Sequence, residues 1–557
     1  MKRWERATQV LKLQEAEVEL AANEPGSHRH VAEQLGIPRS TLQYWQQRQE
    51  ALEATPAVVA FFESPEGLVL LHRLLVAAHV VITLLGSGGI RLVGVWLELT
   101  GLHRFVAASY GAQQQVGTVI ETATVDFGQQ EKARLAKGML SRKITTCQDE
   151  TFHPEPCLVA LEPVSNFILL EQYASTRTAA AWQAAMTEAL KELPVEVIQS
   201  TSDEAKAICC HVEQTLGAHH SPDLFHVQQE VVKGTAGALA AKTRQAEQAL
   251  TTARQKLERQ SQVVTSGAAS TPGSAPARDH RLQQAQWQVT AAEVALEEAQ
   301  AQQAQAQQAI QAINRAYHPY HLETAQPQST ADVEHQLEQA FAQLEQVADT
   351  ASLSQRCRER LQKARRVVTD LLATVTFFIM TVTAKIEALD LAPEVESVVL
   401  NQLIPALYLR RVAAQTTDRE QRQRLHQHAT ESIAPLNAPG SPLTGLPPDE
   451  LALIEQVATE SAQLFQRSSS CVEGRNGQLA LHHHHLHRIR PRKLAALTTI
   501  HNYFIRRPDG TTPAERFFGS KPADLFEWLL DHVPMPARPA RKRPPPPAAK
   551  PLLRAVA

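Results

Sequence analysis

Two aspartates stand at the ends of β-like runs, Asp149 in Cys147-Gln148-Asp149-Glu150-Thr151 and Asp203 in Ser200-Thr201-Ser202-Asp203-Glu204. Carboxylates on rigid strand ends are the hard oxygen ligands that Mg²⁺ requires. With a third carboxylate, two such ions (Mn²⁺ can substitute) are held about 4 Å apart and clamp the attacking and leaving oxygens of an in-line phosphoryl displacement. The third is expected at Glu473, in Ser468-Ser469-Ser470-Cys471-Val472-Glu473-Gly474-Arg475-Asn476. At helical spacing Glu473 and Asn476 share a face, while Arg475 projects elsewhere, where it meets a phosphate. Asp223 reads either as an additional ligand or as the cap of a helix from Leu224. His226 assists at the phosphate, contacts it, or simply packs. Glu150 and Glu204, next to the two aspartates, are expected to point away from the metal.

Something must bring Asp149 and Asp203 together across roughly fifty residues. From Ser141 the pattern turns β-like, with runs over 144–152, 157–162 and 166–173 and a turn at Glu162-Pro163-Val164-Ser165. A helix over 178–191, a strand over 195–201, a helix over 204–216 and a short strand over 218–225 follow. Three meandering strands followed by alternating helix and strand is the order of a ribonuclease H-like mixed sheet. There the first and fourth strands are neighbours, so the two carboxylates converge.

The flanking sequence is helical. In 30–45, small Ala32, Gly36 in a turn and apolar Ile37 and Leu42 lay out a helix-turn-helix, with Pro38 opening the second helix. Arg39, Ser40, Gln43 and Gln47 then lie on the exposed face, where a DNA major groove is read unless the unit is a purely structural helical hairpin. Gly86-Ser87-Gly88-Gly89 lacks the following Lys-Ser/Thr of a phosphate loop and reads as a turn. Over 281–316, heptad positions carry Leu282, Val289, Leu296, Gln303 and Ile310, with Ala285, Ala292, Ala299, Ala306 and Ile313 three residues after each. That pattern predicts a close antiparallel hairpin with the segment holding Leu250, Leu257 and Val264, through a flexible connector at 266–276.

The chain of 557 residues is too long for one core, and its 43% hydrophobic and 20% charged residues exclude a mainly disordered protein. The expected division is a helix-turn-helix domain (1–50), a helical DNA-binding or linker region (51–140), the first part of a catalytic core (141–228), a helical insertion (229–465), the final helix of the core with its C-terminal region (466–533), and a basic, Pro-rich, disordered tail (534–557). The fold class is thus multidomain α+β. Net charge is only −3, but 15 Lys and Arg stand against 6 Asp and Glu from residue 469 onward. Arg488, Arg490, Arg492 and Lys493 are read as DNA-facing there. The histidine run 482–485 beside them is part of that folded segment or a zinc site, with Leu481, Leu486, Ile489 and Leu494 as packed positions. Neither a signal peptide nor a membrane span is expected, since His72, Arg73 and His79 break the apolar run 68–85, and the chain reads as cytoplasmic. The six cysteines form no CxxC pair and read as reduced thiols.

The acidic segments, together with Pro222-Asp223-Leu224-Phe225-His226, resemble the catalytic segments of bacterial insertion-sequence transposases of the DDE superfamily, relatives of retroviral integrases. Asn502-Tyr503-Phe504-Ile505-Arg506-Arg507-Pro508-Asp509-Gly510-Thr511-Thr512-Pro513-Ala514-Glu515-Arg516 is similar to the stretch after the final Glu in such enzymes. The helix-turn-helix and the helical insert fit that superfamily. Gly474 and the histidine run depart from it. The resemblance implies metal-dependent DNA cleavage at the ends of a mobile element and strand transfer into target DNA, by a nucleoid-associated homodimer or higher oligomer on double-stranded DNA. A catalytically inert DNA-binding regulator and a metal-dependent nuclease share the same features.

Overall fold

Short β-branched runs bounded by turn residues occupy one stretch of the chain, and helical sequence lies on either side. The computed structural model follows that division; it describes residues 5–22, 28–50, 52–152, 155–265, 275–486 and 488–539. The chain is mostly helical, with one five-stranded mixed sheet, and so belongs to the α+β class.

At the N-terminus α1 (Arg6–Ala22), α2 (His28–Gln34) and α3 (Arg39–Glu50) enclose a small core of Leu13, Ala16, Val31, Ala32, Ile37, Leu42 and Trp45. Gly36 makes the turn between α2 and α3 with φ of 63°, which glycine adopts without a Cβ penalty. The anticipated core positions Ala32, Ile37 and Leu42 are all buried.

β1 (Arg142–Phe152), β2 (Pro156–Glu162) and β3 (Phe167–Tyr173) form the antiparallel meander read from the sequence. Glu162 fixes the β2–β3 turn by accepting the N–H groups of Val164 at 3.0 Å and Ser165 at 2.7 Å. After the helix Ala179–Leu190, β4 (Val195–Ser202) lies parallel to β1, and a second helical crossover brings β5 (His219–Pro222) parallel to β4. The order is β3-β2-β1-β4-β5. Central β1 is buried from Ile144 to Gln148, as a strand covered on both faces must be.

The helix after β5, Leu224–Thr265, starts one residue past Asp223, so sheet and helical insertion join without a linker. It pairs antiparallel with Ala275–Ala316: Thr243 bonds Gln303 at 2.9 Å, Arg254 bonds Glu293 at 2.8 Å and Lys256 bonds Gln288 at 3.0 Å. Ala285, Ala299 and Ala306 are buried along this seam, where small side chains let the backbones approach. Of the expected connector, 266–274 lie outside the described residues. The later helices gather on an aromatic core in which Tyr317 and Phe378 lie 5.2 Å and 5.4 Å from Phe465.

Two of the expected segments make contacts beyond their bounds. Of residues 51–140, Leu68, Leu71, Val93, Leu97 and Phe105 share a core with Val10, while the later part packs on the sheet. The helix Tyr110–Ala136 buries Ile120, Phe127 and Leu135 in the same core as Leu158, Phe167 and Leu497. Gly128 permits this crossing, since a Cβ there would sit 2.6 Å from Thr499 Oγ1. Phe127 also meets Tyr503 and Trp528, each at 5.7 Å, and one buried Phe contributes about 2 kcal/mol. The tail expected to be disordered from Pro534 is tied down as far as 539. Arg6 donates to Pro536 O at 2.8 Å, Ala107 N–H to Ala537 O at 2.8 Å, and Arg538 pairs with Glu63. By length and composition Pro65–Leu85 and Gln355–Glu387 match membrane-crossing helices, yet here Leu68, Leu71, Leu75, Leu371 and Val375 fill protein cores.

Candidate functional site

The parallel pairing of β1, β4 and β5 sets the site. Cys147 pairs with Thr201 and Ser202 with Pro222. Continuing that register past the strand ends brings Asp149 level with Asp203, and Asp203 level with Asp223. Three aspartates therefore stand level at one end of three adjacent strands, Asp149 still within β1. Glu150, the next residue on β1, turns to the other face and accepts from Trp182 Nε1 at 2.9 Å, as strand alternation requires.

Glu473 arrives on the helix Ser470–Leu486, which packs against β1 and β2. One turn on, Asn476 donates from Nδ2 to Asp149 Oδ2 at 3.3 Å, so the shared face expected of Glu473 and Asn476 is turned toward β1. Burial pushes the Asp149 carboxyl up to about 6; the Glu150 N–H and His226 oppose the rise, while the charges of Asp203 and Glu473 add to it. Burial also raises Glu473, with Asp223 adding to the rise and His226 opposing it. The acids thus feel one another across the end of the sheet, with His226 among them.

Asp223 proves to be a cap and a clamp. Its Oδ1 accepts the N–H of Phe225 at 2.7 Å, and its Oδ2 accepts both the N–H of Ser469, at 3.0 Å, and the Ser469 hydroxyl. Leu224 N–H donates to Arg467 O at 2.9 Å beside it. The segment entering the Glu473 helix is therefore pinned to the end of β5. His226 Nε2 stands 3.9 Å from Asp223 Oδ2 and remains partly exposed. A cavity of about 340 Å³ lined by Asp203, Glu204, Asp223, His226 and Lys363 opens there.

Arg475 does not face a phosphate. It is buried and grips Glu171 of β3 with two bonds, at 2.8 and 2.7 Å, while Thr498 donates to the same carboxylate at 2.5 Å. The signal was present in Phe167-Ile168-Leu169-Leu170-Glu171, where a lone acid in a buried apolar strand demands a cation. The basic stretch is also mostly spent on the protein. Arg488 pairs with Glu155 at 2.5 Å, Arg492 with Glu121 at 3.1 Å, and Lys493, buried, with Glu121 at 3.5 Å. Only Arg490 of the four is exposed without an ion pair among the described residues. In the histidine run, His482 is buried, which lowers it to about 4, and His485 meets Ser87 at 3.3 Å; His487 lies outside the described residues. Leu481, expected to pack, is exposed, whereas Ile489 and Leu494 are buried. On α3, Arg39, Ser40 and Gln47 are exposed and Gln43 is half-buried.

The segment from Asn502 serves the scaffold. Asn502 bonds both the N–H (2.9 Å) and the C=O (3.0 Å) of Ile168, extending the ladder at the free edge of β3. Arg516 donates to Ser165 O at 3.1 and 2.7 Å, and Thr512 caps the helix Pro513–Phe518.

Residues 399–545 match a family model described as a family of unknown function (DUF6399). The matched span includes Glu473, Arg475 and Asn502 and leaves out Asp149, Asp203 and Asp223. No curated protein and no solved structure matches the chain.

Among the described residues no group of three His, Cys, Asp or Glu side chains forms a ready-made metal cage. The donor chemistry nevertheless suits a hard divalent cation. The ligands on offer are oxygens, the acids repel one another, and Asn476 Oδ1, beside Asp149, is buried without a partner.

Proposed function

We propose that this chain is a DNA transposase of the DDE type. One observation carries the reading: Asp149 in β1 and Asp203 just past the end of β4 come level on neighbouring parallel strands, and Glu473 lies in the electrostatic neighbourhood of Asp149 although a long helical insertion separates it from them in sequence. The strand order β3-β2-β1-β4-β5 supports a ribonuclease H-like core. Asp149, Asp203 and Glu473 would hold two Mg²⁺ ions, which when bound supply charge stabilisation to a phosphoryl transfer.

A few residues of the chain have a part in that chemistry. Asp149 and Asp203 present oxygens from fixed strand ends. Asn476 orients Asp149, and the Asp223–Ser469 clamp fixes the start of the Glu473 helix. His226, 3.9 Å from Asp223 Oδ2, would contact the phosphate. Water attacks phosphorus at the element's end, the phosphate stays on the flanking 5′ end and the 3′ oxygen leaves as a hydroxyl, which then attacks a target phosphodiester in the same site and joins its phosphorus as the target's own 3′ oxygen leaves as a hydroxyl. The exposed face of α3, with Arg39, Ser40, Gln43 and Gln47, reads the ends of the element.

The test is cleavage and strand transfer by the purified protein on DNA carrying its own element's ends, with Mg²⁺ or Mn²⁺. Wild type should do both, while Asp149→Asn, Asp203→Asn and Glu473→Gln should lose both by orders of magnitude yet still bind the ends. Cleavage without transfer would make the protein a nuclease, and specific binding without either reaction would make it a regulator.

A further inference from the structure

A second cavity, of about 700 Å³, lies where the helical insertion meets the segment leading into the Glu473 helix. Four arginines line it: Arg315 and Arg411 from the insertion, Arg467 from that segment, and Arg507 from the C-terminal region. Its one lining carboxylate, Asp418, accepts the N–H of Gln421 at 2.7 Å as a helix cap. None of the four arginines has an ion pair among the described residues.

Arg411 and Arg467 are held by neutral acceptors alone. Arg411 Nη1 donates to the carbonyls of Ala462 at 3.1 Å and Phe465 at 2.9 Å, and Arg467 Nη2 to Asn314 O at 2.6 Å. The Nε of Arg467 is buried with no partner. Burial draws both guanidinium groups below the ordinary arginine range, and the charge of Arg467 lowers Arg411 further. Arg411 and Arg467 are half-buried, lie close enough to repel and form no ion pair, so an anion entering the cavity would relieve that repulsion. A guanidinium fork matches the geometry of phosphate oxygens, and Arg315 and Arg507 at the exposed rim add attraction on entry.

We propose that this arginine cavity binds a ligand through phosphate groups. The site stands apart from the row Asp149, Asp203 and Asp223, none of which lines it, and it does not depend on metal binding there. The phosphates come from a free nucleotide or diphosphate, or from the backbone of a DNA strand lying between insertion and sheet.

Isothermal titration of the full chain at low salt, with inorganic pyrophosphate, ADP and a short single-stranded oligonucleotide in turn, tests this. At least one probe should bind saturably and more weakly as salt rises. Binding of pyrophosphate or ADP identifies a free ligand as the source, and binding of the oligonucleotide alone identifies the nucleic-acid backbone. Arg411→Gln with Arg467→Gln should weaken binding about tenfold or more, and Asp149→Asn should leave it unchanged. If that pair of substitutions prevents folding, Arg315→Gln with Arg507→Gln should still weaken binding by roughly threefold. The proposal is overturned if none of the probes binds, if the arginine variants that fold bind like wild type, or if Asp149→Asn alone abolishes binding.

Discussion

Asp223 and Ser469 are 246 positions apart in sequence, yet the Ser469 N–H donates to Asp223 Oδ2 at 3.0 Å. The Ser469 hydroxyl donates to the same oxygen. This contact closes the loop made by the whole helical insertion, since Asp223 follows the last strand before it and Ser469 precedes the first helix after it.

Replacing Asp223 by Ala should therefore cost more than a surface cap. It leaves the buried Ser469 N–H and hydroxyl unpaired, at about 1–3 kcal/mol for each unsatisfied group. Urea unfolding is expected to show a loss of several kcal/mol, with Asp223→Asn intermediate because one amide oxygen can still accept. A loss no larger than that of an exposed Asp→Ala control would contradict the clamp.

Asp149→Asn should behave in the opposite way. It removes one of several mutually repelling carboxylates while keeping the shape and the Asn476 contact, so the melting temperature without metal should be unchanged or higher. Added Mg²⁺ should raise the melting temperature of wild type and do so much less in the variant. Equal Mg²⁺ shifts in the two proteins would place the cation elsewhere.

The buried pair Arg475–Glu171 should be intolerant of single changes. Arg475→Met or Glu171→Gln strands a charge in the core, at about 3–5 kcal/mol. Combining Arg475→Met with Glu171→Leu should recover part of that loss in a double-mutant cycle. Additive losses would mean that the two side chains act independently.

Stability should fall in mild acid. Burial lowers His211, His219, His482 and His501 to about 4, so between the ordinary histidine range and pH 4 the unfolded chain binds more protons than the folded one. Their contribution is complete at neutral pH and is lost as pH drops through that window, at up to about 1.4 kcal/mol per pH unit for each group. Asp149, raised to about 6, works the other way and gains stability as it protonates. The urea midpoint should thus drop from pH 7.5 to pH 5, and more steeply in Asp149→Asn than in wild type. A midpoint independent of pH would show that these imidazoles protonate freely in the fold.

On α3, Arg39→Ala with Gln43→Ala should weaken binding to the element's ends more than binding to random DNA, as base-reading side chains do. Fluorescence anisotropy on both DNAs measures the ratio; equal losses would restrict α3 to phosphate contacts.

Local patterning made much of this architecture legible. Gly36 between apolar Ala32 and Ile37 marked the turn of the N-terminal unit, and the alanines at 285, 299 and 306 marked a close helix pair. The runs around Ile144, Cys157 and Asn166 and the helices and strands after them defined the sheet, because side-chain period and turn chemistry are local properties. The acids at the strand ends could be picked out for the same reason. What the sequence did not reveal is where long charged side chains spend their charge. Arg475, Arg492 and Lys493 look like a basic surface when read in order, but Glu171 and Glu121 lie hundreds of residues earlier, and only the packed helices bring them within reach. The same holds for Asp223 with Ser469 and for the unpaired arginines 411 and 467. A buried charge takes its partner from tertiary proximity, which periodicity does not encode, so the fold alone decided which charges find an ion-pair partner within the protein and which do not.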